Sequence, residues 1–304
     1  MTARPRMLTE PPKGTLYTFG GDEWIVVQLD EAMSLDVNLK AQALTRALAE
    51  KALPGIVEVC LSNASYMVRI DPDVVHPADL IEQLREIEDA NSDFRSITIR
   101  TRIVDVPVLF EDEWTAATVR RFRDRHQRPD LTDLEFAAEL NGYRSTGELI
   151  DAVVSAPALV SMTGFVPTVP WGYQLVPEAR QIEVPKYVRP RTFTPERAFS
   201  WGGAFSAIYP VDGAGGYQLF GMCATPIVQP EQTLYDFRGS FSFPRPGDLF
   251  NYRRVEREEF DEIRARVEEG SFRYRLEELG FAPAEWFARP DETVAAMQEL
   301  LYGA

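Results

Sequence analysis

The segment with the clearest chemical potential is the glycine-rich stretch 202–221, with the sequence GGAFSAIYPVDGAGGYQLFG. Glycines scattered among apolar and aromatic residues exclude a helix and predict two strands, 204–209 and 217–220, joined by the loop 210–216. Such a loop exposes backbone N–H groups to an anionic or planar ligand, for example a carboxylate. A plain hairpin turn is the alternative. The stretch is not a Walker loop, because no Gly-Lys-Ser/Thr follows it.

Two further segments have the residue types of a binding site. Lys186, Arg189 and Arg191 place three cations within six residues of an acidic protein. They are suited to binding a carboxylate or bicarbonate, although a solvated loop explains them equally well. The second segment, 164–173, has the sequence GFVPTVPWGY, and its aromatic residues among Gly and Pro predict either a pocket wall or a packed loop.

The scarcity of histidine and cysteine excludes several kinds of chemistry. His76 precedes a proline and is predicted to be a turn residue, whereas His126, in the charged stretch RRFRDRHQRPD, is predicted to be solvated. Neither has the setting of a Ser-His-Asp or Cys-His hydrolase or of a catalytic zinc. Cys60 and Cys223 are far apart and lack a metal or disulfide motif. We therefore expect no metal, and chemistry performed by carboxylates, lysine, tyrosine, amides or a partner's cofactor.

Composition limits the possible partners. The 304 residues include 47 acidic and 32 basic side chains, which gives a net charge of −15. A field of this sign repels phosphate backbones and anionic membranes, so we expect neither nucleic acid nor membrane as a partner. The sequence has neither the apolar run of a signal peptide nor that of a membrane span, so a cytoplasmic protein is predicted.

The first third of the chain predicts a compact α+β domain. Residues 1–14 are predicted to be a flexible arm and residues 15–101 a sandwich of two helices on an antiparallel sheet. Its elements follow in the order strand, helix, hairpin, helix, strand, with the last strand at 95–102.

The remaining residues have a different pattern. After a strand at 104–109 come predicted helices at 113–125, 133–140 and 145–155, and then short strands separated by glycine and proline turns. Such strands are typical of a closed β-barrel, which we assign to residues 102–254. Residues 255–304 are predicted to form a helical C-terminal extension.

Taken in order, these segments resemble the carboxyltransferase subunit or domain of biotin-dependent urea carboxylase, which is related to allophanate hydrolase subunit 1 and to the B subunit of 5-oxoprolinase. The resemblance extends from Tyr17 to the C-terminus. It is carried by LDVNLKAQALTRAL, LPGIVEVCLSNASYMVRIDP, RIVDVPVLFED, DLEFAAELNGYRSTGELID, KYVRPRTFTPERAFSWGGAFSAIYPVDGAGGYQLFG and RPGDLFNYRRVEREEFDEIRARVEEGSFRY.

The resemblance implies a fold and an assembly. The fold would be an N-terminal α+β domain followed by a cyclophilin-like β-barrel. A second cyclophilin-like carboxyltransferase subunit, similar to allophanate hydrolase subunit 2 or to the C subunit of 5-oxoprolinase, would share the site. A partner biotin carboxylase would use ATP and bicarbonate, and a biotin carrier would bring the carboxyl group to the nitrogen of urea or a urea-like substrate. Biotin would be bound to a partner, since this sequence has no biotinylation motif.

The resemblance also implies site residues. The expected catalytic residues are Lys186, which would stabilise negative charge on the acceptor, Tyr209 and Gln218. Tyr217 and Gln218 are neighbours on a strand and cannot both point into the site. Six residues are expected to bind substrate: Trp171, Arg191, Asp212, Gly215, Gly216 and Tyr217.

Two departures from the family pattern concern the acceptor. Thr168 stands where the oxoprolinase-like pattern has glycine, and Trp171 where it has tyrosine. Guanidine, a substituted urea, a lactam or another amide therefore remain open as substrates beside urea. Two other functions also remain open: a subunit of an ATP-dependent 5-oxoprolinase-type lactam hydrolase, and a non-catalytic protein that regulates a kinase.

Overall fold

The computed structural model describes residues 14–166 and 168–303. The chain divides into two compact units, one ending at Ile97 and the other beginning at Thr98. The first thirteen residues of the predicted arm lie outside the described residues. In the described part of the chain, no helix is long and apolar enough to cross a membrane.

The N-terminal unit has an antiparallel four-stranded sheet and two helices. Its elements are β1 (Leu16–Phe19), β2 (Trp24–Gln28), α1 (Leu35–Lys51), β3 (Ile56–Leu61), β4 (Ser65–Ile70) and α2 (Pro77–Ala90). The strand order is β1-β2-β4-β3, and the apolar faces of both helices join the sheet in one core. His76 lies at the turn that begins α2, where its ring accepts a hydrogen bond from the Ala78 N–H. The two-helix sandwich predicted for this region is therefore confirmed.

The strand predicted at 95–102 does not belong to this sheet, so that part of the prediction is wrong. It is the beginning of β5 (Ile99–Phe110), a single twelve-residue strand that also includes the strand predicted at 104–109. Alternating Ile97 and Ile99 indicate a strand but not its partner. The partner is non-local, since Ile99 pairs with Phe281.

The second unit is built on a closed β-barrel, as predicted. Its elements up to the last barrel strand are α3 (Glu113–Arg121), α4 (Asp133–Leu140), α5 (Thr146–Val154), β6 (Ala158–Thr163), β7 (Pro170–Gln174), β8 (Arg191–Thr194), β9 (Ala198–Gly202), β10 (Phe205–Ile208), β11 (Gly213–Gly215), β12 (Gln218–Cys223) and β13 (Leu249–Arg254). Seven strands form the ring in the order β12-β9-β10-β7-β6-β13-β5, and the pairing of β12 with β5 closes it. The short pair β8 and β11 lies outside the ring.

The C-terminal extension contains the predicted helices and one strand that was not predicted. Its elements are α6 (Arg257–Glu268), β14 (Leu276–Phe281), α7 (Pro283–Ala288) and α8 (Pro290–Tyr302). Strand β14 pairs with the first half of β5, and β12 pairs with the second half. The extension is therefore helical only in part, because β14 pairs with the otherwise free edge of the long strand β5.

A polar network fixes α8 on the barrel. Tyr302 donates a hydrogen bond to Asp105 (2.6 Å) and accepts one from Asn251 (2.9 Å). The same Asp105 carboxylate accepts from Arg253 at 3.0 Å. Because these groups pair with one another, a buried carboxylate on β5 is compensated and the extension has a defined position.

Candidate functional site

The predicted glycine-rich loop is paired with strand β8, which lies before it in the chain. Gly213 and Gly215 pair with Thr194 and Arg191, and the Asp212 carboxylate accepts a hydrogen bond from the Glu196 N–H at 2.8 Å. Gly215 has no room for a side chain, because an added Cβ would lie 2.2 Å from the Tyr209 hydroxyl. The loop is therefore an ordered element that is fixed against β8.

Five hydrogen bonds hold the backbone of residues 185–190, which we call the basic segment. Gln218 donates to the Pro185 carbonyl (2.8 Å), and the Tyr187 N–H donates to the Gly216 carbonyl (2.7 Å). Gln127 donates to the carbonyl of Lys186 (2.5 Å). Arg125 makes the other two: its guanidinium donates to the Pro190 carbonyl (2.6 Å), and its own carbonyl accepts from the Arg189 N–H (3.5 Å). A segment held at so many points has lost most of its conformational freedom before any ligand binds.

Lys186 projects from this segment over two aromatic rings. Its ammonium nitrogen lies 5.2 Å from the centroid of the Tyr217 ring and 5.7 Å from that of Trp171, and these rings meet edge to face at 5.6 Å. We call these three residues the aromatic–lysine cluster. Lys186 forms no ion pair with any described residue, so its charge is available to a ligand.

The Tyr217 hydroxyl is the most informative atom of this cluster. It is buried and has no hydrogen-bond partner among the described residues. Burial raises the pKa of Tyr217, so the hydroxyl stays protonated and able to donate at neutral pH. Gly202 allows the ring its close approach, since a Cβ there would lie 2.3 Å from it. An unsatisfied buried hydroxyl costs about 1–3 kcal/mol, which a ligand that bonds to it would recover.

The loop before β7 positions Trp171. The indole N–H of Trp171 points at the Gly164 carbonyl (3.4 Å), and its ring packs on Phe205 at 5.7 Å. Thr168, where the family pattern has glycine, keeps a left-handed backbone with φ of 73°. A β-branched residue in this conformation is strained by about 1–3 kcal/mol, which is typical of segments bordering functional sites.

A second cluster of polar residues lies inside the barrel wall, and it includes a histidine that was predicted to be solvated. That prediction is wrong: His126 is 6% exposed and Gln218 is fully buried. The Arg128 N–H donates to Nδ1 of His126 (2.8 Å), so Nε2 carries the proton and donates to Oε1 of Gln218 (2.9 Å). This bond orients the amide so that its nitrogen faces the Pro185 carbonyl. Nothing in the charged local sequence indicates this burial, which depends on distant elements.

Asp133 and Arg191 complete this buried polar cluster. The Asp133 carboxylate accepts from the Tyr187 hydroxyl and from the Leu219 N–H, both at 2.6 Å, and burial raises its pKa. Arg191 is fully buried with its guanidinium carbon 4.5 Å from the centroid of the Tyr187 ring. Its two terminal nitrogens have no hydrogen-bond partner among the described residues. Its charge lowers the pKa of Asp133 and of Tyr209, but burial raises both pKa values by more.

The predicted site residues thus fall into two groups. Lys186, Trp171 and Tyr217 come together as an exposed lysine over a half-buried and a buried ring, with Gly216 beneath the Lys186 stem. Gln218, Arg191 and Tyr209 are buried, and Asp212 and Gly215 serve the turn and ladder of β11. Within residues 14–166 and 168–303, no three His, Cys, Asp or Glu side chains are arranged to hold a metal ion.

The closed seven-stranded ring with helices around it defines the second unit as a cyclophilin-like barrel. Residues 16–236 match the family described as "Carboxyltransferase domain, subdomain C and D", and the chain belongs to this family. A protein named putative urea carboxylase from Emericella nidulans is 26% identical over 288 residues, which are 88% of this chain and 23% of that protein. The urea amidolyase of Saccharomyces cerevisiae is also 26% identical, over 98% of this chain and 16% of its own length.

Two other relatives differ in how much of the chain they share. The B subunit of the 5-oxoprolinase of Bacillus subtilis is 23% identical over 79% of this chain and 92% of its own length. The crystal structure of the Kluyveromyces lactis urea carboxylase has a TM-score of 0.77 over 94% of this chain and 26% of that chain, at 24% identity, which shows the fold. The chain thus spans at most about a quarter of the urea carboxylase and amidolyase relatives it matches.

Proposed function

We propose that this chain is a carboxyltransferase component of a biotin-dependent carboxylase, and that the carboxyl group passes to the nitrogen of urea or a urea-like amide or guanidine. The observation that carries the proposal is the aromatic–lysine cluster. It combines an uncompensated cation with a buried donor that lacks a partner among the described residues, and both lie against flat aromatic surfaces. Family membership supports the same reaction class.

The residues present fit the ligands that this reaction requires. The transferring group is a carboxylate, which an ammonium group such as that of Lys186 binds. The acceptor and the biotin ring are planar and carry a urea-type carbonyl, to which the Tyr217 hydroxyl is suited as a donor. The faces of Trp171 and Tyr217 would orient such planar groups, as aromatic residues do in many small-molecule sites.

Biotin bound to a partner would supply a carboxyl group on a ring nitrogen, made from bicarbonate with ATP by a biotin carboxylase. The Lys186 ammonium would hold the carboxylate and stabilise the negative charge that develops during transfer. Tyr217 would hold the carbonyl oxygen of the acceptor and so orient its nitrogen toward the carboxyl carbon. Because the rings exclude water from one side of Lys186, its charge would act more strongly than in bulk water.

The buried polar cluster would position these groups without touching the substrate. Gln218 fixes the Pro185 carbonyl, next to Lys186, so we assign it a positioning role. Tyr209 packs on Gly215 and Arg191 pairs with it in the β8–β11 ladder, so both support the strand that leads to Tyr217. Asp212 would act in the same way, by fixing the preceding turn.

The assembly is part of the proposal. A second cyclophilin-like carboxyltransferase subunit, a biotin carrier and a biotin carboxylase would have to come from other chains or domains. The small share of the urea carboxylase and amidolyase relatives that this chain spans supports such partners.

The test is to purify the tagged chain from its native host and to probe the proteins that co-purify with labelled streptavidin and mass spectrometry. The proposal predicts a stoichiometric biotinylated partner and ATP-dependent fixation of labelled bicarbonate that requires urea or a urea-like acceptor. Omission of ATP is the matched control. Co-purification of an amidase-like partner without biotin, together with ATP-dependent lactam hydrolysis, would contradict it.

Lactam hydrolysis of the 5-oxoprolinase type is the second candidate. It is favoured by the match to the B subunit of 5-oxoprolinase, which covers 92% of that protein. The same match covers only 79% of this chain, whereas the urea amidolyase match covers 98%. We therefore place it second.

A further inference from the structure

The fold brings together the two most basic segments of an acidic chain. Arg189 donates to the Asp124 side chain (3.0 Å) and backbone carbonyl (3.1 Å), and Arg125 donates to the Pro190 carbonyl (2.6 Å). The Arg121 guanidinium lies 5.8 Å from the ring of Phe193, which follows the basic segment. The joined surface, which we call the basic ridge, consists of Arg120, Arg121, Arg123, Arg125, Lys186 and Arg189.

Most of this positive charge is not neutralised. Among the described residues, Arg189 is the one ridge member that forms an ion pair, with Asp124. By contrast, nearby Arg128 is neutralised by Asp130 and Glu139. The other five cations of the ridge form no ion pair with a described residue, and they give this surface a positive charge opposite in sign to the net charge of −15.

The ridge also has the features of a protein interface. Val188, between Lys186 and Arg189, is 70% exposed although hydrogen bonds hold the backbone on both sides of it. A fixed, exposed apolar side chain surrounded by arginines is a typical anchor of a protein–protein contact, because little entropy is lost when it is covered.

A recess continues the ridge. Arg120 and Arg123 line a cavity of about 270 Å³ between α3, α4 and β12. Three carboxylates also lie in its wall: Asp112 caps α3, Glu111 accepts from Thr146, and Asp133 accepts from Tyr187 and Leu219. Neither arginine forms an ion pair with these or with other described carboxylates, so both guanidinium groups can bind a carboxylate of a partner.

We propose that the basic ridge docks an acidic protein surface, namely that of the subunit or domain that carries biotin to the aromatic–lysine cluster. This identification of the partner rests on the proposed function. Lys186 belongs to both surfaces, so a carrier seated on the ridge would have its biotin next to the reacting groups. The negative charge of the rest of the chain repels an acidic carrier elsewhere and favours this one approach.

The test compares biotin on its carrier with free biotin, using the full chain with its co-purifying partners. In Arg120→Glu/Arg123→Glu we expect KM for the biotinylated carrier to rise at least tenfold at 50 mM salt and less at 300 mM, because salt screens the contact. Turnover of free biotin should not change. Arg120→Gln/Arg123→Gln should give an intermediate effect, and Arg144→Glu/Arg289→Glu, at exposed arginines outside the ridge, should give none.

A binding titration of the chain with the isolated biotinylated carrier decides the matter without turnover. A salt-dependent loss of affinity in the ridge variant, and not in the control, supports docking of the carrier on the basic ridge. This outcome stands even if the wild-type chain transfers no carboxyl group and the proposed function fails. Equal affinity of the wild type and the ridge variant overturns it, as does an equal loss of turnover with free and carrier-bound biotin.

Discussion

The aromatic–lysine cluster and the buried polar cluster are separated by single steps along the chain. Lys186 precedes Tyr187 and Tyr217 precedes Gln218. The first member of each pair belongs to the aromatic–lysine cluster, although the Tyr217 ring is itself buried, and the second belongs to the buried polar cluster. In the buried cluster, Asp133, His126 and Gln218 are bonded to one another or to the backbone. In the aromatic–lysine cluster, the Lys186 ammonium has no ion-pair partner and the Tyr217 hydroxyl no hydrogen-bond partner among the described residues.

The difference separates two uses of polar groups. Asp133, His126 and Gln218 are satisfied internally, and such a network gives a rigid position to what is attached to it. Arg191 is the exception in this cluster, since its two terminal nitrogens have no hydrogen-bond partner among the described residues. Polar groups left unsatisfied beside it cost stability and are retained where a ligand completes them. Substitutions in the buried polar cluster should therefore mainly change the free energy of unfolding. Substitutions in the aromatic–lysine cluster should mainly change activity.

The largest expected effect is that of Lys186→Met on activity. The substitution keeps much of the apolar stem and removes the charge, so we expect kcat/KM for carboxyl transfer to fall about 100-fold, or about 2.7 kcal/mol in transition-state stabilisation. The free energy of unfolding should fall by no more than about 1 kcal/mol, because Lys186 makes no ion pair with any described residue and loses only its contacts with the Tyr217 and Trp171 rings. Arg144→Met, which removes an exposed cation elsewhere in the barrel unit, is the control. If Lys186→Met retained its activity, the aromatic–lysine cluster would have no part in the reaction.

Gly215→Ala should lower the free energy of unfolding by about 2 kcal/mol, as overpacking of a close contact does. The new methyl group would meet the Tyr209 hydroxyl at 2.2 Å. Gly213→Ala is a matched control in the same strand, since an added Cβ there has nothing within 4 Å. Chemical denaturation of both variants measures the difference. Equal stability would show that Tyr209 does not require the glycine.

Tyr217→Phe should lower kcat/KM about tenfold and leave stability within about 0.5 kcal/mol of the wild type, because the deleted hydroxyl has no partner in the described part of the chain. The control is Tyr252→Phe. Its buried hydroxyl bonds to Ser206 at 2.8 Å, so it should cost about 1 kcal/mol of stability without loss of activity. A large loss of stability in Tyr217→Phe would mean that the hydroxyl serves the fold.

The smallest effect concerns pH. Burial raises the pKa of Asp133 above its ordinary value of 3.8, so the folded protein binds a proton there more tightly than the unfolded chain does. As the pH rises from 3.8 through the higher folded pKa, the stability of the wild type should fall relative to that of Asp133→Asn. Urea unfolding between about pH 4 and 8 measures this.

Asp130 provides the opposite case as a control. Arg128 lowers its pKa to about 2, so its contribution to stability should be lost only as the pH falls from 3.8 toward about 2. A wild type that gains stability relative to Asp133→Asn as the pH rises would show that hydrogen bonds outweigh burial at Asp133.

The sequence was most informative where local pattern and structure coincide. Apolar spacing placed α1, α2, α4 and α5, and glycine and proline turns indicated the barrel. The sequence was less informative where pairing is non-local. Strand β14 pairs with an edge of β5 that is distant in the chain, and His126 is buried against Gln218, which is 92 residues away. No local pattern encodes either contact.

The same reasoning explains the candidate site. Residue type drew attention to the segments that contain Lys186, Trp171 and Tyr217, because a cation and aromatic side chains among glycines are uncommon combinations. The choice of these residues within the segments came from the resemblance to the carboxyltransferase family. The division between surface and buried members could not be predicted. Alternation along a strand separates Tyr217 from Gln218 but does not show which of them faces inward.

The most direct test of the aromatic–lysine cluster as the ligand site is an NMR titration with free biotin and with urea. The chain is labelled with ¹⁵N at its five tryptophans. The indole N–H signal of Trp171, assigned by its loss in Trp171→Phe, should move with saturation, and the shift should weaken in Tyr217→Phe. Signals of the buried Trp201 and Trp286 should stay in place. A saturable shift confined to Trp114, in the separate cavity beside α6, would contradict the assignment, as would no shift at any tryptophan.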